Sequence, residues 1–457
     1  MVLIKYIFNI YFPFFNQNRE LNKILKKYDC KTYVEYCVKH PVCGYNNLVK
    51  NRFYGVEKNC DYYVRSSGTS SEPKNIPITM DYINKNHLLS SKLALIHMIV
   101  KFGCWKMIYG RNLALTGYKY EDKIQKKDVY DISALIFLKR PSFFRNFGFP
   151  SKIYGNWEEK LHYFMSYKEF NKVKSISGVP TWMISLFDNI EKSNNQSIKK
   201  TFKELSYIIH GGVTFEPYTK IFNEIFNDRR IIFFEIFNST EGFYAFQHKP
   251  DLPYLLLCTN NSIFYEFKKG DKVYQLKEVS VGDEYELIIS NTDGLVRYET
   301  GDKITFFKRN PCLLTYSGRT SEYLNAFGED LSIKQSDKII NTINEHFNLD
   351  ITDYVVIPKY SDLKTLGNHE WFIFSNFRNL NTAEISDFID ENLKEINSNY
   401  RQKRYKSLAI MKPSVKILSL DQKEALIRLM KKNIGGQTKL KKLHNNRNIY
   451  NFLNKVI

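Results

Sequence analysis

A chain of 457 residues is longer than one ordinary hydrophobic core, so its length points to two domains or three. Its 43% hydrophobic and 25% charged content excludes a disordered or fibrous chain, and no run of 18 or more apolar residues offers a membrane span. The net charge of +19 invites a nucleic-acid partner, but the lysines are scattered in pairs such as Lys26-Lys27, Lys199-Lys200, Lys268-Lys269 and Lys431-Lys432 with no nucleic-acid signature, so the charge reads as solvated surface that helps attract anionic substrates.

The opening MVLIKYIFNIYFPFFNQN lacks a basic n-region and a small-residue cleavage site, which favours a first helix or a weakly membrane-touching segment over a signal peptide. Seven cysteines without a CxxC pair or zinc spacing fit a reducing compartment, and a cytoplasmic protein is expected. Tyr62 to Val64 and then Ile76 and Ile78 predict a strand, a loop and a strand. Thr79 caps a helix expected from about Met80 to Val100, on which Ile83, His87, Leu93 and Ile96 recur at helical spacing. The apolar stretch DISALIFL at 131–138 is expected to be a buried strand, and IIFFEIF at 231–237 another, ending at the polar turn Asn238-Ser239-Thr240. A β-rich stretch follows, with SIFYEF at 262–267, EYELIIS at 284–290 and an Asn-Thr-Asp-Gly turn feeding a paired strand LVRY.

After about residue 320 the pattern changes. Ile333, Ile340, Ile343 and Phe347 mark a helix, and ITDYVVI and EWFIF read as strands. Asn381 with Glu384 caps a second helix, and Asp421 with Glu424 a third. The expected fold is therefore α/β, with a large domain over 1–319 and a small α+β domain over 320–457, divided near Gly318-Arg319.

Ser66, Ser67, Gly68, Thr69, Ser70 and Ser71 precede Lys74 between the first two strands. Such a loop suits phosphate, because Gly68 allows tight backbone geometry, hydroxyls and N–H groups meet phosphate oxygens, and Lys74 holds a departing anion. It is no Walker loop, since GxxxxGK[ST] occurs nowhere, and on its own it reads equally as a polar surface loop.

In the company of later segments, this loop resembles the first signature of the acyl-adenylate-forming enzymes, a Ser/Thr/Gly loop ending in Pro-Lys. His210-Gly211-Gly212-Val213 is similar to their glycine turn beside adenine. Phe237-Asn238-Ser239-Thr240-Glu241-Gly242 is similar to the loop whose aromatic flanks adenine, whose threonine contacts phosphate and whose glutamate helps to hold Mg²⁺. Tyr298-Glu299-Thr300-Gly301-Asp302 is similar to the motif whose aspartate binds ribose, Gly318-Arg319 to the hinge, and Lys439 to the lysine of the mobile domain. Within that superfamily GVPTWMISL (178–186), HGGVTFEPY (210–218), STEGFYAFQ (239–247), FYEF (264–267), GLVRYETGD (294–302), SGRTSEYLNAFGEDL (317–331), LKEINSNYRQKRY (393–405) and GGQTKLKKL (435–443) resemble the Gretchen Hagen family of acyl-acid amido synthetases, with its bacterial branch nearest. The likeness runs in order from about residue 60 to about 445, and the first 60 residues match poorly.

The resemblance implies an adenylate-forming large domain and a small mobile C-terminal domain. It implies that ATP, with Mg²⁺ at Glu241, adenylates a small carboxylic acid and that the acyl group passes to an amine, an amino acid. Activating a carboxylate by attack on an α-phosphate needs charge stabilised and reactants held rather than covalent help, which suits these residue types. Thr181, Trp182 and His210 are implied in substrate binding, beside the segments 113–120, 131–140 and 179–186, whose aromatics suggest an apolar acyl group. On the residues alone the alternatives stay open: Asp302 bracing its turn, Arg319 in a surface ion pair, Lys439 in a solvated basic tail, Trp182 in core packing, His210 structural. Two departures stand out, Ser71 for a usual glycine and Phe237 for a usual tyrosine. The rival functions are an acid–thiol ligase acting on coenzyme A or a carrier protein, and a basic nucleotide-binding protein without catalysis.

Overall fold

The computed structural model describes residues 1–66, 74–140, 148–150, 153–154, 157–213, 215–226, 230–250, 252–320, 323–349, 351, 353–361, 365–375, 381–407, 409–434, 440–445 and 447–457. Strands β1 (Tyr62–Ser66) and β2 (Lys74–Ile78) pair antiparallel with Ser66 opposite Lys74. Next in the chain come β3 (Arg111–Ala114), β4 (Lys119–Ile124), β5 (Lys127–Tyr130), β6 (Gly148–Phe149), β7 (Val173–Gly178), β8 (Tyr207–His210) and β9 (Ile232–Asn238). A small sheet runs β2-β1-β5-β4, whereas β9-β8-β7-β3-β6 are parallel neighbours in a 12-stranded sheet. Parallel pairing demands crossovers, supplied by helices such as Pro180–Asn194 and Glu216–Phe226.

From β9 the large sheet turns antiparallel. It takes up β10 (Phe243–Gln247), β11 (Leu255–Leu257), β12 (Phe264–Lys269), β13 (Lys272–Gln275), β14 (Glu284–Ser290), β15 (Tyr298–Arg309) and β16 (Cys312–Arg319) in the order β10-β11-β16-β15-β14-β12-β13. Beyond Arg319 the chain forms β17 (Tyr323–Leu324) with β18 (Leu331–Ser332), then a three-stranded sheet of β19 (Asp353–Lys359), β20 (Asn368–Phe374) and β21 (Ser414–Leu418). Trp371 of β20 is fully buried there among Ile339, Ile343 and Ile389 of the covering helices. The N-terminal segment is helical, Val2–Tyr11 and Pro13–Lys27. It docks through buried amides: Asn9 donates to the Leu257 carbonyl, and Gln17 to the carbonyls of Thr259 and Ile263.

Three expectations need correction. DISALIFL forms the helix Ile132–Lys139, not a strand, because the Asp131 side chain accepts the Ser133 N–H at 2.8 Å and starts a helix in a run too short to show its own period. LVRY becomes strand only at Tyr298: Arg297 has a left-handed φ of 44° and turns its guanidinium onto the buried Glu266 carboxylate at 3.0 Å. The helix Leu420–Ile434 is capped by Ser419, which exchanges hydrogen bonds with Gln422, and Asp421 lies in its first turn. Thr79 and Asn381 do cap their helices, with a π-helical stretch, Asn84–Leu88, inside the first.

Candidate active site

Open parallel sheets bind ligands beyond the carboxyl ends of their strands, and here the ends of β3, β7, β8 and β9 line one cavity of about 550 Å³. Each strand delivers a different chemistry. After β8 the chain turns at Gly211 and Gly212. A Cβ on Gly211 would lie 2.5 Å from the Ile236 carbonyl oxygen, and Gly212 has a φ of +82°, so backbone lies where side chains would otherwise stand. Asn238, the last residue of β9, and then Ser239, Thr240 and Glu241 line the wall.

Glu241 is buried and firmly held. Its Oε2 accepts from Ser239 Oγ at 2.7 Å, and its backbone carbonyl accepts from Tyr82 Oη at 2.8 Å. Its Oε1 accepts from Tyr298 Oη at 3.2 Å, and that same phenol oxygen accepts from Lys74 Nζ at 3.1 Å. Burial, then the Glu241 carboxylate, raise the Tyr298 phenol well above its ordinary range, so it remains a donor. A lysine from β2, a tyrosine from β15 and a glutamate after β9 are thus linked through one hydroxyl. Ser66 Oγ, across the β1–β2 pair from Lys74, is buried with no hydrogen-bond partner among the described residues. An unsatisfied buried hydroxyl beside a lysine fits an oxyanion ligand. The single carboxylate of Glu241 fits Mg²⁺, which takes one or two carboxylates and completes its shell with phosphate oxygens and water. Among the described residues no cluster of three or more His, Cys, Asp or Glu side chains offers an all-protein metal cage.

Asp302 and Arg319 face each other across β15 and β16, with Nε donating to Oδ1 at 2.9 Å. Arg319 lines the cavity, whereas Asp302, expected to bind there, is 3% exposed and outside the wall, reaching it only through Arg319. Burial raises the Asp302 carboxyl, against the pull of Arg319. His210 lines the cavity, stacked on Phe215 at 3.8 Å, and burial lowers it to about 3, so it is neutral.

Besides Asp302, two expected residues lie outside the wall. Thr181 is not in the cavity wall, because its hydroxyl donates to the Phe327 carbonyl at 3.0 Å and ties the helix to the C-terminal part of the chain. Phe237 likewise is not in the wall; it packs between Tyr244 and Tyr316 at 5.1 and 5.2 Å, an apolar seat that needs no tyrosine hydroxyl. Ser67, Gly68, Thr69, Ser70, Ser71 and Lys439 lie outside the described residues.

Two buried lysines in the wall escaped the motif reading. Lys403, on the helix Ser398–Arg404, places its ammonium 5.2 Å from the ring of Trp182, and burial lowers its pKa against Glu329, Asp330 and Asp131. Gly328, at φ +82°, makes room for it: a Cβ there would lie 2.9 Å from Lys403 Cε. Lys160, on the helix Trp157–Ser166, donates to the Thr116 carbonyl. Lys160 gives no signal in the sequence beyond a lysine on a helical face, whereas Lys403 lies in the family-like segment LKEINSNYRQKRY, which assigned it no role.

The central part of the chain, residues 256–319, matches the GH3 family central domain, and residues 334–448 match the GH3 family C-terminal domain. A probable indole-3-acetic acid-amido synthetase GH3.7 of Oryza sativa subsp. japonica is 32% identical over 131 residues, which are 27% of this chain and only 20% of that protein. Among solved structures, the GH3.15 acyl acid amido synthetase in complex with 2,4-DB superposes with a TM-score of 0.61 at 14% identity, over 99% of this chain and 95% of that one. A 2-hydroxyisobutyryl-CoA ligase superposes with a TM-score of 0.51 at 10% identity, over 91% and 82%. Both are likenesses of fold, that of adenylate-forming enzymes with a C-terminal domain. The likeness to the GH3 family thus rests on two segments, its central domain over 256–319 and its C-terminal domain over 334–448.

Proposed function

We propose that this protein is an ATP-dependent ligase that adenylates a small carboxylic acid and passes the acyl group to the amine of an amino acid. The observation that carries the reading is the linkage of Lys74, Tyr298 and Glu241 at the carboxyl edge of a parallel sheet, beside the glycine turn and a buried Ser66 hydroxyl that has no hydrogen-bond partner among the described residues. In this reading Ser66, the loop 67–70 and Lys74 hold phosphate oxygens, with Asn238, Ser239 and Thr240 opposite. Glu241 holds Mg²⁺, which would neutralise charge on the departing pyrophosphate. Gly211 and Gly212 let the base approach the backbone. Asp302 with Arg319 binds the ribose, and Trp182 and His210 border the acid. The division at 319/320 separates a part that binds nucleotide and acid from a mobile C-terminal part, which brings Lys439 to the first half-reaction. The described cysteines are all free thiols, which suits the cytoplasm, and no helix among the described residues is long and apolar enough to cross a membrane.

Supported by the two GH3 domain matches, the reading is tested by pyrophosphate exchange across a panel of carboxylic acids, with and without each amino acid. Exchange that depends on an acid is expected, with amide as the product. A folded protein that binds ATP but exchanges with no acid would overturn it, and a thioester product with coenzyme A would move it to the thiol ligases.

A further inference from the structure

Lys160 is 1% exposed, yet it lines the cavity. Its ammonium donates to the carbonyl of Thr116, just past β3, and stands 4.6 Å from the centroid of the Tyr118 ring. Burial lowers it to about 8, with Asp131 acting in the opposite direction, so it still carries charge at neutral pH. Taking an ammonium out of water is costly, and a methionine would fill the same space without that cost.

Its position excludes service to the phosphates. Thr116 follows β3, which is three strands from β9 in the order β9-β8-β7-β3. At about 4.8 Å per strand, that end of the cavity lies about 14 Å from Thr240 and Glu241. The wall also carries Leu115, Ile132, Ile136 and Trp182, with Ser177 and His210 at the ends of the two intervening strands. Asp131 is fixed at the Lys160 end. It accepts from Ser133 N, and a Cβ on Gly117 would fall 2.5 Å from its Oδ1, so the glycine lets it lie against that turn.

Building on the adenylation reading, we propose that Lys160 determines specificity, by donating a hydrogen bond to a hydroxyl or oxo oxygen at the end of the acid remote from the carboxylate being activated. A second carboxylate there would meet Asp131 as a like charge. A hydroxyl accepts from the ammonium and donates to Asp131, and an oxo group accepts from the ammonium.

The test uses acids that differ by one distal oxygen: 3-phenylpropanoate against 3-(4-hydroxyphenyl)propanoate, hexanoate against 5-oxohexanoate, and adipate as the dicarboxylate. Two readouts are taken, kcat/KM for pyrophosphate release and the rise in unfolding temperature on adding acid, which needs no turnover. The wild type should favour the oxygenated member of at least one pair by about tenfold or more, since a site built to hydrogen-bond a substrate oxygen rejects the analogue that lacks it. Lys160→Met should bring that ratio within about threefold at an unchanged KM for ATP, and Lys160→Gln, which keeps a donor, should fall between. Circular dichroism checks the fold, and Lys160→Gln carries the comparison if the methionine variant does not fold. Equal use of both members of every pair, the same ratio in Lys160→Met as in wild type, or adipate preferred to every hydroxy and oxo acid would overturn the assignment. If no acid releases pyrophosphate while the pairs still separate by thermal shift, the adenylation reading fails and the Lys160 assignment stands. Release with all acids alike has the reverse meaning.

Discussion

Tyr298→Phe removes one oxygen and nothing else from the centre of the site. That oxygen is buried, on a residue 1% exposed, and it is shared by Lys74 Nζ at 3.1 Å and Glu241 Oε1 at 3.2 Å. Lys74 is half-buried, so water replaces part of what it loses. Glu241 is 8% exposed and keeps Ser239 on its other oxygen, so its lost bond is the larger effect. A hydrogen bond to a charged group contributes about 1.5–3 kcal/mol, and 2 kcal/mol corresponds to about 30-fold in rate. Acid-dependent pyrophosphate exchange should therefore fall about 30-fold in Tyr298→Phe, with the KM for the acid little changed. In a Glu241→Gln background the same substitution should cost less than about threefold, because its main partner has already lost its charge. Wild-type exchange in Tyr298→Phe, or losses that simply multiply in the double variant, would show that Lys74 and Glu241 act independently and refute the linkage.

Asp302→Ala leaves Arg319 without its carboxylate, so ATP use should weaken about 30- to 1000-fold with acid use much less affected. An unchanged KM for ATP would confine Asp302 to bracing Arg319. Lys439→Ala should slow adenylation about 10²- to 10³-fold yet spare amide formation from pre-made acyl-adenylate, and equal loss in both half-reactions would make the residue structural. Burial lowers His87 and His210 to about 3 and His97 to about 4, so the unfolded chain binds more protons below about pH 6.5 and stability falls as pH drops through that value. From about pH 7.5 to 5.5 each of these histidines, and His444 likewise lowered to about 4, costs on the order of 1 kcal/mol, while Glu235, raised by burial to about 7, returns on the order of 2, so the net is a loss. A urea midpoint that rises on acidification would contradict this.

Local chemistry was legible in the sequence because it needs only near neighbours. Asn381 caps its helix through N–H groups two and three residues on, Gly212 carries its positive φ within one turn, and Ser66 and Lys74 flank a short loop between two strands. The ordered motifs carried the likeness to the GH3 domains for the same reason. Where the local signal was degenerate, tertiary packing decided. DISALIFL is apolar at every second position and at every fourth, and Asp131 together with the burial of Ile132, Ala134, Leu135 and Phe137 made it a helix. The hydroxyl that joins Lys74 to Glu241 comes from Tyr298, 224 residues from one and 57 from the other, a separation that no motif spans. Thr181 and Phe237 sit inside matching motifs, yet a carbonyl from Phe327 and a seat between two tyrosines take them out of the cavity wall. Lys160 looks like an ordinary surface lysine in sequence, and Lys403 stands in a matching segment that gives it no role. Only the fold buries them, because whether a helical face meets water or a cavity depends on what packs against it.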